Sequence, residues 1–308
     1  MLDQIKGLHH VTALASAPAA NNAFWTRTLG LRRVKTTVNF DSPDVYHLYF
    51  GDAAGTPGTV MTYFPRPHSK RGTRGTGEVA LTAFSIPPGT AATWAGRLDA
   101  AGVQNIVRDT AFGAARVLFD GPDGERLALV EAEDDRAPWT TPEIDAGLAL
   151  RGLHSVVLHL AEADQTAALL RKMGYAELAR EGDVTRYALP GGGPARVVDI
   201  LPDPGADRAH QGAGSVHHIA FAVENRARQA EVRETLLAAG WKVTEVKDRD
   251  YFWAIYFRSP GGVLFEVATN EPGFAVDEDP AHLGEALRLP ARHEHLREKL
   301  ETTLAPLD

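Results

Sequence analysis

The sequence predicts an α+β chain of four tandem βαβββ modules, arranged as two domains with open, barrel-like β-sheets. Three observations carry this. Apolar strand-like openings recur four times: GLHHVTAL from residue 7, EVALTAFSI from 78, GLHSVVLHL from 152 and VHHIAFAV from 216. Each is followed by a helix-like stretch that stops at a glycine: Gly30, Gly102, Gly174 or Gly240. Glycine just past a helix suits the left-handed position that ends one. After each glycine come short strand-like runs; in the fourth module these are WKVTEVKD, FWAIYF and GVLFEVA. The last run is entered through a turn composition, Ser-Pro-Gly-Gly at 259–262 and Gly-Pro-Asp-Gly at 121–124. Repetition at a fixed period is the signature of a fold built from copies of one unit.

The elements follow in order. Pro18 stands near the start of the first helix, where its missing N–H is tolerated. Residues 134–149, polar and proline-containing, read as the connection between an N-terminal domain, 1–135, and a C-terminal domain, 150–308, of two modules each. Beyond the last module, HEHLREKLETTL reads as a charged helical segment that packs over the surface or at a dimer contact, and a homo-oligomer, a dimer, is expected.

Composition narrows the chemistry. With 308 residues and no cysteine, the chain has no disulfides, thiolate metal sites or cysteine nucleophile, so any metal must be held by His, Asp or Glu. A net charge of -8 argues against nucleic acid as partner. No apolar run approaches the roughly 18 residues of a membrane helix, and no signal-peptide pattern opens the sequence. No membrane partner and a cytoplasmic location are expected.

The modules act as controls for one another. Aligned on the opening strand, His10 matches Ala80, Ser155 and His218. Aligned on the turn before the last strand, Glu266 matches Ala128 and Tyr63, while the third module offers Asp199 without a clear register. Modules one and four thus carry histidine where two and three do not, and module four adds a glutamate. A histidine alone in a strand is more often hydrogen-bonded than ligating, but a carboxylate in VLFEVA is costly to bury unpaired. If modules one and four meet, His10, His218 and Glu266 form a two-histidine, one-carboxylate facial triad, a donor set suited to Fe(II) or Mn(II) with positions left open. Strand alternation puts Ile219, Phe221 and Val223 on one face and His218, Ala220 and Ala222 on the other. His154 aligns with His9 and is expected to face away from a metal. His47, His68, His159, His210 and His282 have no repeat-equivalent partner, and His293 and His295 read as solvated.

The stretches GLHHVTAL, LGLRRVKTTVNFDSPDVYHLYFGD, GSVHHIAFAV, EVKDRDYFWAIYFRSPGGVLFEVAT and EPGFAVDED resemble the ring-cleaving dioxygenases of the vicinal oxygen chelate (glyoxalase/bleomycin resistance/dioxygenase) superfamily. The resemblance is to the branch of hydroquinone 1,2-dioxygenases and bacterial quinone-resistance dioxygenases. It covers almost the whole chain and is weakest in module three. It implies Fe(II) at His10, His218 and Glu266, with modules one and four paired around it. It also implies Arg249 and Tyr256 beside the metal, and His9, Thr12 and His217 behind it; the loop around Arg249 is shorter here than in hydroquinone dioxygenases. The expected activity is cleavage of a small dihydroxylated aromatic, hydroquinone- or catechol-type, with insertion of both atoms of O2. Arg249 and Tyr256 would stabilise a substrate oxyanion, and His9 or His217 would move protons. The rivals are a glyoxalase-type isomerase or lyase, which usually needs a fourth ligand where Tyr63 falls, and a non-enzymatic small-molecule binding protein.

Overall fold

The computed structural model describes residues 2–307. Runs rich in β-branched and aromatic residues form sixteen strands, and each module repeats one order. Module one contains β1 (Leu8–Ala15), α1 (Pro18–Ala23), β2 (Arg32–Asn39), β3 (Ser42–Gly51) and β4 (Val60–Pro65). Module two contains β5 (Glu78–Ile86), α2 (Ala91–Ala100), β6 (Gln104–Ala111), β7 (Ala114–Asp120) and β8 (Arg126–Glu131). Module three contains β9 (Gly152–Leu160), α3 (Asp164–Lys172), β10 (Ala176–Glu181), β11 (Val184–Ala188) and β12 (Val197–Pro202). Module four contains β13 (Val216–Val223), α4 (Arg226–Ala238), β14 (Lys247–Asp248), β15 (Phe252–Arg258) and β16 (Leu264–Pro272). A last helix, α5 (Arg297–Thr303), follows. Gly30, Gly102, Gly174 and Gly240 all take positive φ, as the helix-ending position requires.

Two departures have local causes. The first helix is short, because α1 runs directly into a five-residue π-helical turn, Phe24–Thr28, before Gly30. WKVTEVKD is mostly irregular, and only Lys247–Asp248 pair as a strand. Here Thr244 Oγ1 accepts from the backbone N–H of Tyr256 at 3.0 Å, so a side chain takes the place of a ladder carbonyl.

The sixteen strands make two curled eight-stranded sheets. One runs β14-β15-β16-β13-β1-β4-β3-β2 and the other β10-β11-β12-β9-β5-β8-β7-β6. The sheets do not follow the halves of the chain. The first joins module four to module one through the antiparallel β1–β13 pair, and the second joins modules two and three through β5–β9. Each sheet therefore draws one module from residues 1–135 and one from 150–308. The 134–149 connection is fastened between them: Arg136 donates to the carbonyls of Gly58 and Leu153 and to the hydroxyl of Ser85.

One apolar cluster unites a face of each sheet with the helices. Trp25 of module one lies 5.4 Å from Phe84 of the second sheet, and Tyr175 of module three lies 6.1 Å from Phe221 of the first. Ile219, Phe221 and Val223 point into this cluster and Ala220 to the other face, as the alternation predicts. The C-terminal segment packs on its own chain. Buried Lys35 of β2 pairs with Asp277 and Glu278 and lies under the Tyr251 ring, and His293 donates to the carbonyl of Phe40. His293 is thus a tethered residue and not the solvated one its charged surroundings suggest. Among the described residues no helix is long and apolar enough to cross a membrane.

Candidate metal centre

The β1–β13 seam places the site. His10 pairs across it with Ala220, and Thr12 with His218, while β16 runs parallel to β13 with Glu266 beside Ala220. Two strands starting at opposite ends of the chain, and a third beside one of them, thereby aim three side chains at one point. His10 Nε2 lies 3.3 Å from His218 Nε2 and 3.6 Å from Glu266 Oε2, and His218 Nε2 lies 2.8 Å from Glu266 Oε2. All three residues are buried, and they form a group whose ligand atoms lie within 4.8 Å of one another.

The surrounding hydrogen bonds assign the tautomers. His9 Nε2–H donates to the carbonyl of Thr269 at 3.1 Å, so His9 Nδ1 is an acceptor. The 2.9 Å contact between His9 Nδ1 and His10 Nδ1 then has His10 donating, which leaves a bare lone pair on His10 Nε2. The 2.7 Å contact between His217 Nδ1 and His218 Nδ1 repeats the device in module four. There His217 takes the acceptor role, and its ring lines the cavity over the site. Burial and the neighbouring His10 hold His9 down at about 3, and burial and His218 hold His217 at about 3. Burial also lowers His218, so these imidazoles are neutral bases and not cations. Burial works against a charged Glu266, and positive charge at the His10 and His218 positions is what holds the carboxyl well below its usual range; with the imidazoles neutral, that charge has to come from a cation.

These features fit a divalent cation. Among the described residues neither oxygen of Glu266 accepts a hydrogen bond, despite the short distances to two imidazoles. Three lone-pair-bearing atoms facing one another repel unless a cation lies between them. Ligands at right angles on a metal with bonds of roughly 2.1 Å lie about 3 Å apart, near the observed separations. A histidine ligand that donates its other ring N–H to a fixed acceptor is the usual support of such a centre.

A cavity of about 490 Å³ opens over this point. Arg249 Nε donates to Tyr256 Oη at 3.2 Å, and its Nη2 pairs with Asp41 at 3.1 Å. Burial opposes the guanidinium charge, but Tyr256 and Asp41 favour it and its pKa rises. Burial, with Glu266 next, keeps the Tyr256 phenol protonated. The Tyr256 ring lies 5.8 Å from that of His218. His217 lines the cavity, whereas His9 lies behind Phe252 and does not.

Sheet registers correct two alignments. Thr12 pairs with Thr62 as Ala220 pairs with Glu266, so Thr62, not Tyr63, holds the glutamate's position in module one. The turn before β4 is one residue shorter than that before β16, and a one-residue shift turns a side chain to the opposite face. Tyr63 instead points into the core and donates to Glu125 at 3.0 Å. In module two, Leu81, not Ala80, sits where His10 does in β1: Leu81 pairs with Val157 as His10 pairs with Ala220, each just after a register shift that the two strands share. Asp199 is the true counterpart of Glu266 in module three, paired with Val157 as Glu266 is with Ala220.

His47 is a site-wall residue that repeat logic passes over. Its Nε2 lies 2.9 Å from Thr62 Oγ1 and its Nδ1 accepts from Tyr49 Oη at 2.8 Å, and both His47 and Tyr49 line the cavity. The signal was alternation: Val45, His47 and Tyr49 share one face of β3, and all three line the cavity.

Two curled sheets of paired βαβββ modules, one holding a buried His-His-Glu cluster, define a class of metal-site fold. The chain belongs to the Glyoxalase/Bleomycin resistance protein/Dioxygenase superfamily, whose model matches residues 7–189 and 176–267. It is 40% identical over 310 residues to "Putative ring-cleaving dioxygenase MhqO" of Bacillus subtilis, covering 100% of this chain and 98% of that one. It is 34% identical over 313 residues to the chlorohydroquinone/hydroquinone 1,2-dioxygenase of Sphingobium indicum, covering 98% and 97%. A Bacillus subtilis crystal structure named "putative dioxygenase" superposes with a TM-score of 0.95 at 40% identity, covering 99% and 98%. Glyoxalase I from Zea mays, at 13% identity and TM-score 0.63 over 86% and 92% of the chains, shares the fold.

Proposed function

We propose that this chain is an Fe(II)-dependent ring-cleaving dioxygenase that acts on a dihydroxylated aromatic and inserts both atoms of O2. The observation that carries the reading is the triad itself: two imidazole nitrogens and a carboxylate converging at the floor of a cavity that can admit an aromatic ring. The names of the relatives support ring cleavage, and the Sphingobium protein's name favours a para-dihydroxylated substrate. The register that puts Thr62 where a fourth ligand would fall speaks against a four-ligand isomerase site.

His10, His218 and Glu266 would hold the metal; Mn(II) suits the same donors. Bound Fe(II) supplies open positions for a phenolic oxygen and O2 and electron transfer between them. The chain's own groups do the rest. His9, fixed by Thr269, keeps the His10 lone pair aimed inward. Arg249 and Tyr256 stabilise negative charge on a substrate oxygen, since one fixed donor of this kind commonly contributes about 10² to 10³ in rate. His217 lines the cavity, and with its Nδ1 engaged by His218 its Nε2 is the atom at which it would hold a proton. Phe40, Phe252 and Leu264 line the cavity with apolar surface that orients the ring and excludes water.

The test is oxygen uptake by protein reconstituted anaerobically with Fe(II), using a panel of hydroquinones and catechols and ¹⁸O2. Equimolar consumption, with both labelled atoms in one product, is expected. Unlabelled product, or turnover of a hemithioacetal without oxygen, would overturn the reading.

A further inference from the structure

The front of the metal site is a cavity of about 490 Å³, and a ring bound at its floor would stand between the metal site and the mouth of that cavity. A second reactant arriving after the ring needs another way in. The wall behind the metal site is thin at one place. Phe252, only 3% exposed, stands with its ring 5.1 Å from that of His10 and 5.4 Å from that of His9. Its front faces the 490 Å³ cavity, and its back faces a separate cavity of about 200 Å³ lined by His9, Gly55, Pro57, Tyr251 and Phe274. Exposed Thr56 and Asn270 stand at the rim of this rear cavity.

The chemistry of the rear cavity selects its occupant. Its main polar groups are already engaged: His9 bonds to Thr269 and His10 through its two ring nitrogens, and Tyr251 Oη donates to Asp277. A dihydroxylated ring entering there would leave its hydroxyls without those partners, a cost of roughly 1–3 kcal/mol for each buried unsatisfied group. A small apolar molecule has no such cost, and apolar cavities take up xenon. Inside the polar rim of Thr56 and Asn270 the lining is largely apolar, with Ala54, Pro57 and the Phe252 and Phe274 rings; Gly55 has φ +70, and a Cβ there would meet Phe274 Cδ2 at 2.5 Å, so that ring packs on bare backbone. The cavity beside His217, about 340 Å³, offers the opposite environment, with Glu78, Arg208 and Arg258 in its wall.

We propose that the rear cavity is a binding and entry site for dioxygen, and that Phe252 is the gate between it and the metal site. The proposal rests on the dioxygenase reading for the identity of the gas, but the site's affinity for a small apolar gas can be read without turnover. Thr56 is suited to the test. Its backbone N–H and carbonyl make the local turn contacts, and its side chain is exposed at the mouth.

Xenon-pressurised crystals of the metal-free protein are expected to show xenon behind Phe252, and Thr56→Trp is expected to exclude it. In the iron-loaded enzyme, Thr56→Trp should raise KM for O2 about tenfold and leave the KM for the aromatic unchanged, and Phe252→Leu should lower KM for O2. Absence of xenon from this cavity in the wild type overturns the proposal, as does an unchanged KM for O2 in both variants. If the wild type consumes no oxygen with any aromatic, the dioxygenase reading falls instead, and the xenon result still decides whether the cavity takes an apolar gas.

Discussion

The two sheets are built on the same plan, and comparing them shows what the candidate metal site has beyond the fold. In the first, corresponding rungs carry His10, His218, Glu266 and Tyr256; in the second, they carry Leu81, Ser155, Asp199 and Arg186. Even the paired-neighbour contact survives: His154 Nδ1 lies 2.9 Å from Ser155 Oγ, as His217 does at 2.7 Å from His218. The carboxylate survives as well. What differs is its partner. Glu266 faces two lone pairs, whereas both oxygens of Asp199 are taken by Arg186, at 2.9 and 2.8 Å. One sheet leaves a buried negative charge to be satisfied by a cation from outside; the other satisfies it with a cation of its own. Scaffold and carboxylate alone are therefore not enough, and the strand-borne histidines decide.

The largest effect should come from breaking the first sheet's set. His10→Ala, His218→Ala or Glu266→Ala should each remove bound iron after anaerobic reconstitution. The loss should exceed the roughly 10–100-fold typical of residues that only orient a ligand. Ser155→Ala, on the matching rung of the second sheet, should leave iron content unchanged. Metal analysis after gel filtration reads both; full occupancy in any of the three variants removes that residue from the ligand set.

Breaking the second sheet's pair should cost stability and no iron. Asp199→Ala strands a largely buried guanidinium, and such a loss typically costs about 3–5 kcal/mol. Replacing both partners, as Arg186→Met with Asp199→Leu, should recover most of that in urea unfolding. If the single variant unfolds at the wild-type midpoint, the pair is not holding the sheet.

The smallest effect sharpens the contrast between two buried glutamates. Glu125 has no imidazole beside it, and burial raises it to about 7. An acid whose folded pKa is raised binds more protons folded than unfolded, so stability falls as pH rises from about 4.5 to about 7 and stays lower above. Glu125→Gln should remove that fall and gain about 1–3 kcal/mol relative to wild type at pH 8 over pH 4. Parallel pH profiles of unfolding for the two proteins would refute the assignment.

Much of this comparison was legible in the sequence, because a repeat supplies its own reference. Histidine at equivalent places in modules one and four, against serine in three, pointed to their meeting before any sheet was seen, and the sheet order follows it. What escaped was register. A turn shorter by one residue before β4 moved one alignment by one, and β5, which shares the register shift of β1, pairs one residue further along than its opening residues suggest; this sufficed to mistake Tyr63 for Thr62 and Ala80 for Leu81. Asp199 could be placed only by its ladder to β9. His47 escaped for another reason: its counterpart in module four is Ala254, so comparison among repeats gave it no partner, and only its neighbours Thr62 and Tyr49 reveal its place.

The pairing of module one with module four also bears on how the protein is made. His10 leaves the ribosome early and Glu266 late, so no shorter nascent chain can gather the cluster. Assembly of the cluster thus waits on translation of nearly the whole polypeptide.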